Sequence, residues 1–581
     1  MKIRWGLVNV VGVFLFFAVV FGLFSVIHAS SFKAPLNKDF SLYFLNAYDV
    51  ANYHLYNGAT FWNARPHDIT ADNNFAYASH LLDAIHVKFF SWFPDFLANF
   101  FWGACEGLIG GILFLMALKM FGLDSAFKSK TSKGFLIFCS FLAVLISVTS
   151  PTILSEAGTF HSGDVVAVLF FLGWLFFISG WFNLVSPGED GAGSGRQVLV
   201  VTSFLLFGVF IGMSLGLKLT LYPFIFSLAV CLVVWAFFSR NIFSYVLVFL
   251  CGVGVLLGFF LIQGPQMWEL YEQFGNPVFP TYNNLFKSVY FSPVLPAKNP
   301  IPFAMGTKSL LLFPLKLLSL SYGLSMESFL RDWRLLLAFM AGVFITIDFF
   351  RTPKAERRFT QKVLFFIFSF CVMGYVIWAH TFGVYRYAFP LQIFSGFLIV
   401  YGVISLLKSW QSCWRNMALI FITWFLIITT VPSPLWSSLT YTPVKNFPKL
   451  PLDSIVILPG NTQSFWALFL PKEVSAINPN FYPPNTIYFT QALKGTSKGK
   501  IFLSMSKEES NSLSFNKLFM QLKAGKPVFL LEDSYSISRD KLTQPYQMGD
   551  AELKEVGPCY PLEYPFYGDP DRKIKLCQVV F

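Results

Sequence analysis

Apolar stretches of about twenty residues recur along this chain, and each is long enough to cross a bilayer as an α-helix. Eleven of them stand out, at roughly 6–28, 99–121, 134–153, 165–185, 197–216, 221–238, 242–263, 334–350, 363–381, 389–407 and 416–433. Only 13% of the 581 residues are charged, against about a quarter in soluble domains, which excludes a soluble enzyme. The expected fold is an α-helical polytopic membrane protein. The formal net charge of +12 is no sign of a nucleic-acid partner, because much of it sits in short loops between the spans. No tandem repeat or low-complexity tract is present.

Charge then sets the topology. Lys2 and Arg4 precede the first span and place the N-terminus in the cytoplasm. Strict alternation puts Lys128, Lys130 and Lys133 on the same side, with Arg351, Lys354, Arg357, Arg358, Lys362, Lys408 and Arg415. The first segment is long for a signal-peptide core and lacks a small-residue cleavage site, so it reads as an anchor. Residues 29–98, residues 264–333 and everything after Pro434 then face the outside of a plasma membrane, the bacterial inner membrane by this reading. The natural division is a membrane module, 1–433, and an extracytoplasmic domain, 434–581. In that domain "SIVILPG", "KIFLSM", "PVFLLED" and "IKLCQVVF" read as buried strands, and "SFNKLFMQLKAG" as a helix closed by Gly525. A small α/β domain is expected. Cys559 and Cys577 lie within it, where a disulfide is permitted.

The outer loops carry the chemistry. "NAYDVANYHLYNG" follows the first span, and in a helix Asp49, Asn52, Tyr53 and Tyr56 would share one face. A carboxylate beside the membrane surface can take a proton from a hydroxyl nucleophile. It can equally be a solvated residue of an interfacial helix, with Tyr53 in the aromatic belt. His54 and Asn57 extend the same polar cluster. "SPTILSEAGTFHSGD" places Glu156, His161 and Asp164 between the third and fourth spans. Asp164 there suits a helix cap, a cavity wall or a ligand to a divalent cation. Glu106 lies inside the second span, where a carboxylate is costly unless paired or hydrated. "GLKLT" sets Lys218 between spans five and six, and "FGVYRYAFP" sets Arg386, with Tyr387, between spans nine and ten. A cation at such a boundary can be a snorkelling anchor. Outer loops are poor in cations, however, and Arg binds phosphate in bidentate fashion, so a site for an anionic lipid head group is the functional reading. The last outer segment before span eight, "FGNPVFPTYNN", is a turn rather than a helix from Gly275, Pro277 and Pro280, and it carries Asn276 and Tyr282. Beyond it, "MGTKSLLLFPLKLLSLSYG" is too broken by Pro and Lys to span and suits a helix in the interface.

In their order along the chain, "YDVANYHLYNG", "SEAGTFHSGD", "GLKLT", "FGNPVFPTYN" and "YRYAFP" resemble the GT-C superfamily of polytopic glycosyltransferases. The resemblance spans most of residues 1–433 and adds a soluble domain after the last span. It implies a polyprenyl-phosphate-linked sugar as donor and an inverting transfer to a hydroxyl of a lipid or glycan acceptor, in cell-envelope glycan biosynthesis. By the same resemblance Asp49 is the general base, and Arg386 with Lys218 binds the donor phosphate. Glu156 and Asp164 match second-loop acids that position substrate or bind metal. His161, Tyr53, His54, Asn57, Asn276, Tyr282 and Tyr387 are further candidates to contact substrate or metal. Many members pair two acids in the first loop, whereas Val50 follows Asp49 here, which leaves the possible divalent cation without a clear ligand set. No Walker A loop appears and the cytoplasmic loops are too short for a nucleotide-sugar domain. An envelope polysaccharide polymerase or ligase, a lipid or glycan transporter, and a non-enzymatic assembly subunit are the rival readings.

Overall fold

A computed structural model describes residues 7–31, 54–62, 80–122, 133–159, 163–185, 193–279, 282–287, 307–320, 330–408, 410–431, 448–452, 454–458, 470–471, 473–477, 527–533, 554–562 and 574–580. Its helices are α1 (Leu7–Ser31), α2 (Leu55–Trp62), α3 (Leu81–Trp92), α4 (Asp95–Phe121), α5 (Lys133–Val148), α6 (Pro151–Glu156) and α7 (Gly163–Val185). There follow α8 (Gly193–Leu217), α9 (Tyr222–Ser239), α10 (Ile242–Phe274), α11 (Asn283–Phe286) and α12 (Thr307–Lys316). The last are α13 (Arg334–Arg351), α14 (Phe359–Thr381), α15 (Phe389–Leu406) and α16 (Ser412–Thr429). The chain divides into two compact units: Met1–Ile27, Asn99–Gln263 and Asn299–Trp436 form the first, and His28–Ala98, Gly264–Lys298 and Ser437–Phe581 the second.

The first unit is a helical bundle, and the protein is a multi-pass integral membrane protein. Among the described residues nine helices are long and apolar enough to span: α1, α4, α7, α8, α9, α10, α14, α15 and α16. The sequence reading counts eleven. The other two expected spans are helices, but α5 has only 16 residues and α13 carries Arg334, Asp348 and Arg351. The two ends of each enter different polar clusters. At one end the Thr360 hydroxyl donates to the Met120 carbonyl at 2.6 Å and the Gln361 amide to Asp348 at 2.6 Å, while the Arg415 guanidinium lies 4.7 Å over the Phe135 ring. At the other, Arg334 donates to the Ile146 and Thr149 carbonyls at 2.8 and 2.7 Å and to the Thr430 hydroxyl at 2.5 Å. The starts of α5, α14 and α16 thus meet the ends of α4 and α13, and the end of α5 meets the start of α13 and the end of α16. That is the alternation the charge pattern predicts.

Aromatic packing fills the middle. Trp174 of α7 is fully buried, with the rings of Phe207, Phe370 and Phe394 at 5.9, 5.2 and 4.8 Å, from α8, α14 and α15. Edge-to-face arrangements like these add to the burial of large rings. Close backbone approach does the work between α8 and α10. A Cβ on Gly212 would strike the Val255 carbonyl, and one on Gly258 the Val209 carbonyl, so only glycine allows the two helices to touch.

In the second unit α2 packs on α3: the Trp62 indole donates to the Ala84 carbonyl at 2.9 Å, and the Lys88 ammonium lies 5.5 Å over the Trp62 ring. Five strands, β1 (Ile455–Ile457), β2 (Ser475–Ile477), β3 (Val528–Asp533), β4 (Lys554–Leu562) and β5 (Ile574–Val580), form one sheet in the order β2-β1-β3-β5-β4. β1 is parallel to β2 and β3, and β5 is antiparallel to β3 and β4. Cys559 pairs with Cys577 across β4 and β5, and the two are joined by a disulfide. Three of the four expected strands are β1, β3 and β5. The fourth, "KIFLSM", and the expected helix "SFNKLFMQLKAG" lie outside the described residues. β2 and β4 were not anticipated: one has three residues, and the other is interrupted by Gly557, Pro558 and Pro561 and shifts register between Glu555 and Cys559. In the first unit, α12 has ten residues with Pro314 inside, too short to span, in line with its reading as a non-spanning helix.

Candidate functional site

In the first unit three loop ends converge at the Arg334 end of the bundle. Proline starts each following helix: Pro151 opens α6, Pro223 opens α9 and Pro390 opens α15, where the missing N–H is no loss. Gly383 ends α14 with φ +62°, and its N–H bonds the Trp378 carbonyl at 2.9 Å. The chain then makes a single tight turn, Tyr385–Ala388, that carries Arg386 and Tyr387.

Glu156 is the last residue of α6 and is 1% exposed. Its carboxylate lies against Gly163, the first residue of α7, so closely that a Cβ there would collide with it. An anion at the start of a 23-residue helix is favoured by the helix dipole. The Lys218 ammonium sits 3.9 Å from the same carboxylate. That ammonium also lies 5.7 Å over the Tyr387 ring, while the Arg386 guanidinium lies 5.1 Å from the ring and donates to the Tyr387 hydroxyl at 3.3 Å. One aromatic ring therefore gathers two cations, with a buried carboxylate beside them. Lys218 and Arg386 are 168 residues apart in sequence but share this ring.

Glu106 of α4 stands behind the same turn. It is fully buried, and its Oε2 accepts the Gly158 N–H at 2.7 Å. Gly158 has φ +76°, a conformation that suits glycine, and the Thr159 hydroxyl closes the turn on the Glu156 carbonyl at 2.8 Å. Glu106 thus anchors the turn after Glu156 rather than facing water. Asp164 is the second residue of α7, so it stands at the mouth of that helix as its position in the sequence suggests. His161 lies outside the described residues, as do Asp49 and Tyr53.

The second unit holds the rest. His54 Nδ1 lies 2.8 Å from Asp83 Oδ1, and Asn57 is buried in α2. Sequence reasoning missed Asp83, though "HLLDAIH" does place an acid between two histidines. His86, one turn beyond Asp83, is buried, and desolvation with the nearby His54 pushes its imidazole down to about 3. Its pKa is lower folded than unfolded, so the unfolded state binds the extra proton, and stability falls as pH drops from about 6.5 towards 3. Amide protection factors in α2 and α3, with the intrinsic pH dependence of exchange divided out, should therefore fall below pH 6.5 by up to about tenfold per pH unit, and His86→Phe should flatten that dependence. Asn276 is buried in the bend after α10, where its side chain accepts the Val278 N–H at 3.0 Å, a turn-forming role. Tyr282 is exposed and has φ +52°. Among the described residues no three of His, Cys, Asp or Glu come together as a metal site.

The first unit is thus a multi-helix membrane bundle with tight polar turns at one end, and the second contains a mixed sheet. Among solved structures, the chain is similar to ArnT from Cupriavidus metallidurans, a structure described as bound to undecaprenyl phosphate, with a TM-score of 0.50 and 12% identity over 98% of each chain. The apo oligosaccharyltransferase of Archaeoglobus fulgidus matches with a TM-score of 0.47 and 13% identity, over 90% of this chain and 69% of that one. No family model and no curated protein matches the sequence.

Proposed function

We propose that the protein is an integral-membrane glycosyltransferase that moves a sugar from a polyprenyl-phosphate donor to an acceptor hydroxyl, with inversion. The observation that carries the reading is the pairing of Lys218 and Arg386 on the Tyr387 ring beside Glu156. Two cations at the end of a membrane bundle suit a phosphate whose lipid tail stays in the bilayer. The leaving phosphate gains negative charge in the transition state, and preorganised cations lower that barrier most when they need not reorganise. Glu156 and the tyrosine ring supply that preorganisation by holding the ammonium and guanidinium in place before the ligand arrives. ArnT, which shares the fold, binds undecaprenyl phosphate, and the same ligand class is assigned here.

Asp49 is assigned as general base from its place in the first outer loop. The His54–Asp83 pair stands near it in sequence and suits a sugar-contacting role, with Asn57. Asp164, His161, Tyr53, Asn276, Tyr282 and Tyr387 remain assigned to substrate contacts, and a divalent cation would need ligands from the first or second outer loop. The N-terminus is assigned to the cytoplasm and the 434–581 domain to the outside, where its disulfide would persist.

Purified protein in detergent, given undecaprenyl phosphate as the probe, should bind it saturably and with an affinity that falls as salt rises. Supplied instead with an undecaprenyl-phosphate-linked sugar and extracted lipids, it should release undecaprenyl phosphate. Folded protein that does neither is not a transferase of this class.

A further inference from the structure

Arg334 and Asp332 are both fully buried, and neither belongs to any motif that suggested the function. Asp332 Oδ1 accepts the Arg334 N–H at 3.0 Å and its Nη1 at 2.9 Å, and Asp332 Oδ2 accepts the Tyr385 hydroxyl at 2.8 Å. Arg334 spends its remaining donors on the ends of α5 and α16, as described above. Tyr385 immediately precedes Arg386. A second link starts from Gln392 of α15: its amide donates to the Tyr385 carbonyl at 3.1 Å and to the Thr152 hydroxyl at 2.7 Å, and its oxygen accepts the Thr152 N–H at 3.2 Å. Thr152 belongs to α6, which ends at Glu156.

The network therefore joins two of the three turns at the cation site, those of Glu156 and Arg386, and the bonds of Asp332 and Gln392 to Tyr385 and of Gln392 to Thr152 are buried. Two attachments hold Tyr385, one at its phenol and one at its carbonyl, which determines both the position and the rotation of the residue before Arg386. A buried ion pair is costly to desolvate and adds little net stability by itself. Its retention here makes sense as a means of specifying geometry.

We propose that Asp332 and Arg334, acting through Tyr385, together with Gln392 are positioning residues: they hold the Arg386–Tyr387 turn at a set distance from the Glu156 turn and so set the width of the phosphate site. This rests on the reading of that site as a polyprenyl-phosphate site. None of the four is assigned contact with the ligand.

The test is binding of undecaprenyl phosphate to the full-length protein in detergent, corrected for the folded fraction by size exclusion. Tyr385→Phe removes one hydroxyl and keeps the ring, and it should weaken binding about tenfold. Thr152→Val, which cuts the other link, should weaken it by a similar factor. The decisive arm is a double-mutant cycle with Arg386→Ala. A positioning residue that acts through Arg386 has little left to disturb once that side chain is gone, so Tyr385→Phe should change the affinity of Arg386→Ala protein less than twofold. A residue that only supports folding would lower the yield and leave the affinity of the folded fraction alone. Unchanged affinity in folded Tyr385→Phe and Thr152→Val, or additive losses in the cycle, overturn the positioning role while leaving the phosphate site intact. Wild-type protein that does not bind the probe overturns the site itself, a result separate from the other two.

Discussion

Asp49→Asn should slow sugar transfer by about two to four powers of ten, with the affinity for donor little changed. In the proposed transfer the acceptor hydroxyl is a weak nucleophile until its proton is taken as it attacks the anomeric carbon. A carboxylate can accept that proton, and an amide of nearly the same shape cannot. The substitution therefore removes chemistry while sparing volume and most hydrogen bonding. Single-turnover measurements with pre-bound donor isolate this step from product release. An Asp49→Asn protein that is folded, binds donor and turns over as fast as wild type would remove Asp49 from the mechanism. The His54–Asp83 pair, which has the base-and-orienter geometry of activated nucleophile systems, would then be the next group to test.

Arg386→Ala should lower kcat by about two to three powers of ten, the loss seen when one preorganised charge stabiliser is removed. The argument is electrostatic. In the proposed transfer the departing phosphate carries more charge in the transition state than in the bound donor, so a cation within reach contributes more to kcat than to binding. Arg386→Lys should recover part of the loss, since it restores charge but not the planar fork. Lys218→Ala should act in the same direction but less strongly, because that ammonium already shares the field of Glu156 at 3.9 Å. Activity measured against ionic strength separates these effects: loss of a cation flattens the salt dependence of donor binding, and loss of fold does not. Wild-type kinetics in folded Arg386→Ala would mean that the guanidinium supports the Tyr387 ring and nothing more.

The two cations stood out in the sequence because they fall in short loops that the charge rule assigns to the side poor in Lys and Arg, and Glu156 because acids are scarce in this chain. Their companionship did not. Glu156, Lys218 and Arg386 come from three separate helix ends, and only the packing of α6, α8 and α15 brings the two cations to one ring and the carboxylate to Lys218. Asp332, Arg334, Tyr385 and Gln392 escaped notice for a related reason. "RDWR" at the head of a span reads as charge at a membrane boundary, and nothing local reveals that both side chains are withdrawn from water. Glu106 stood out in the sequence only as a carboxylate inside a span, costly unless paired or hydrated, and its bond to the Gly158 N–H shows it to be an anchor for the backbone of the adjoining turn. The strand β4 was hidden because proline and glycine interrupt it, and such a strand forms only when β5 is there to pair with it.

By itself the sequence determined that this chain crosses the membrane many times and which loops between the spans hold scarce charge. Those properties follow from transfer free energies that each segment carries alone, whatever its neighbours do. Tertiary structure alone decided which charges meet, which are buried and which backbone turns they hold. That Lys218 and Arg386, 168 positions apart, share one ring is a property of the assembled bundle, since no local rule measures the distance between two loops.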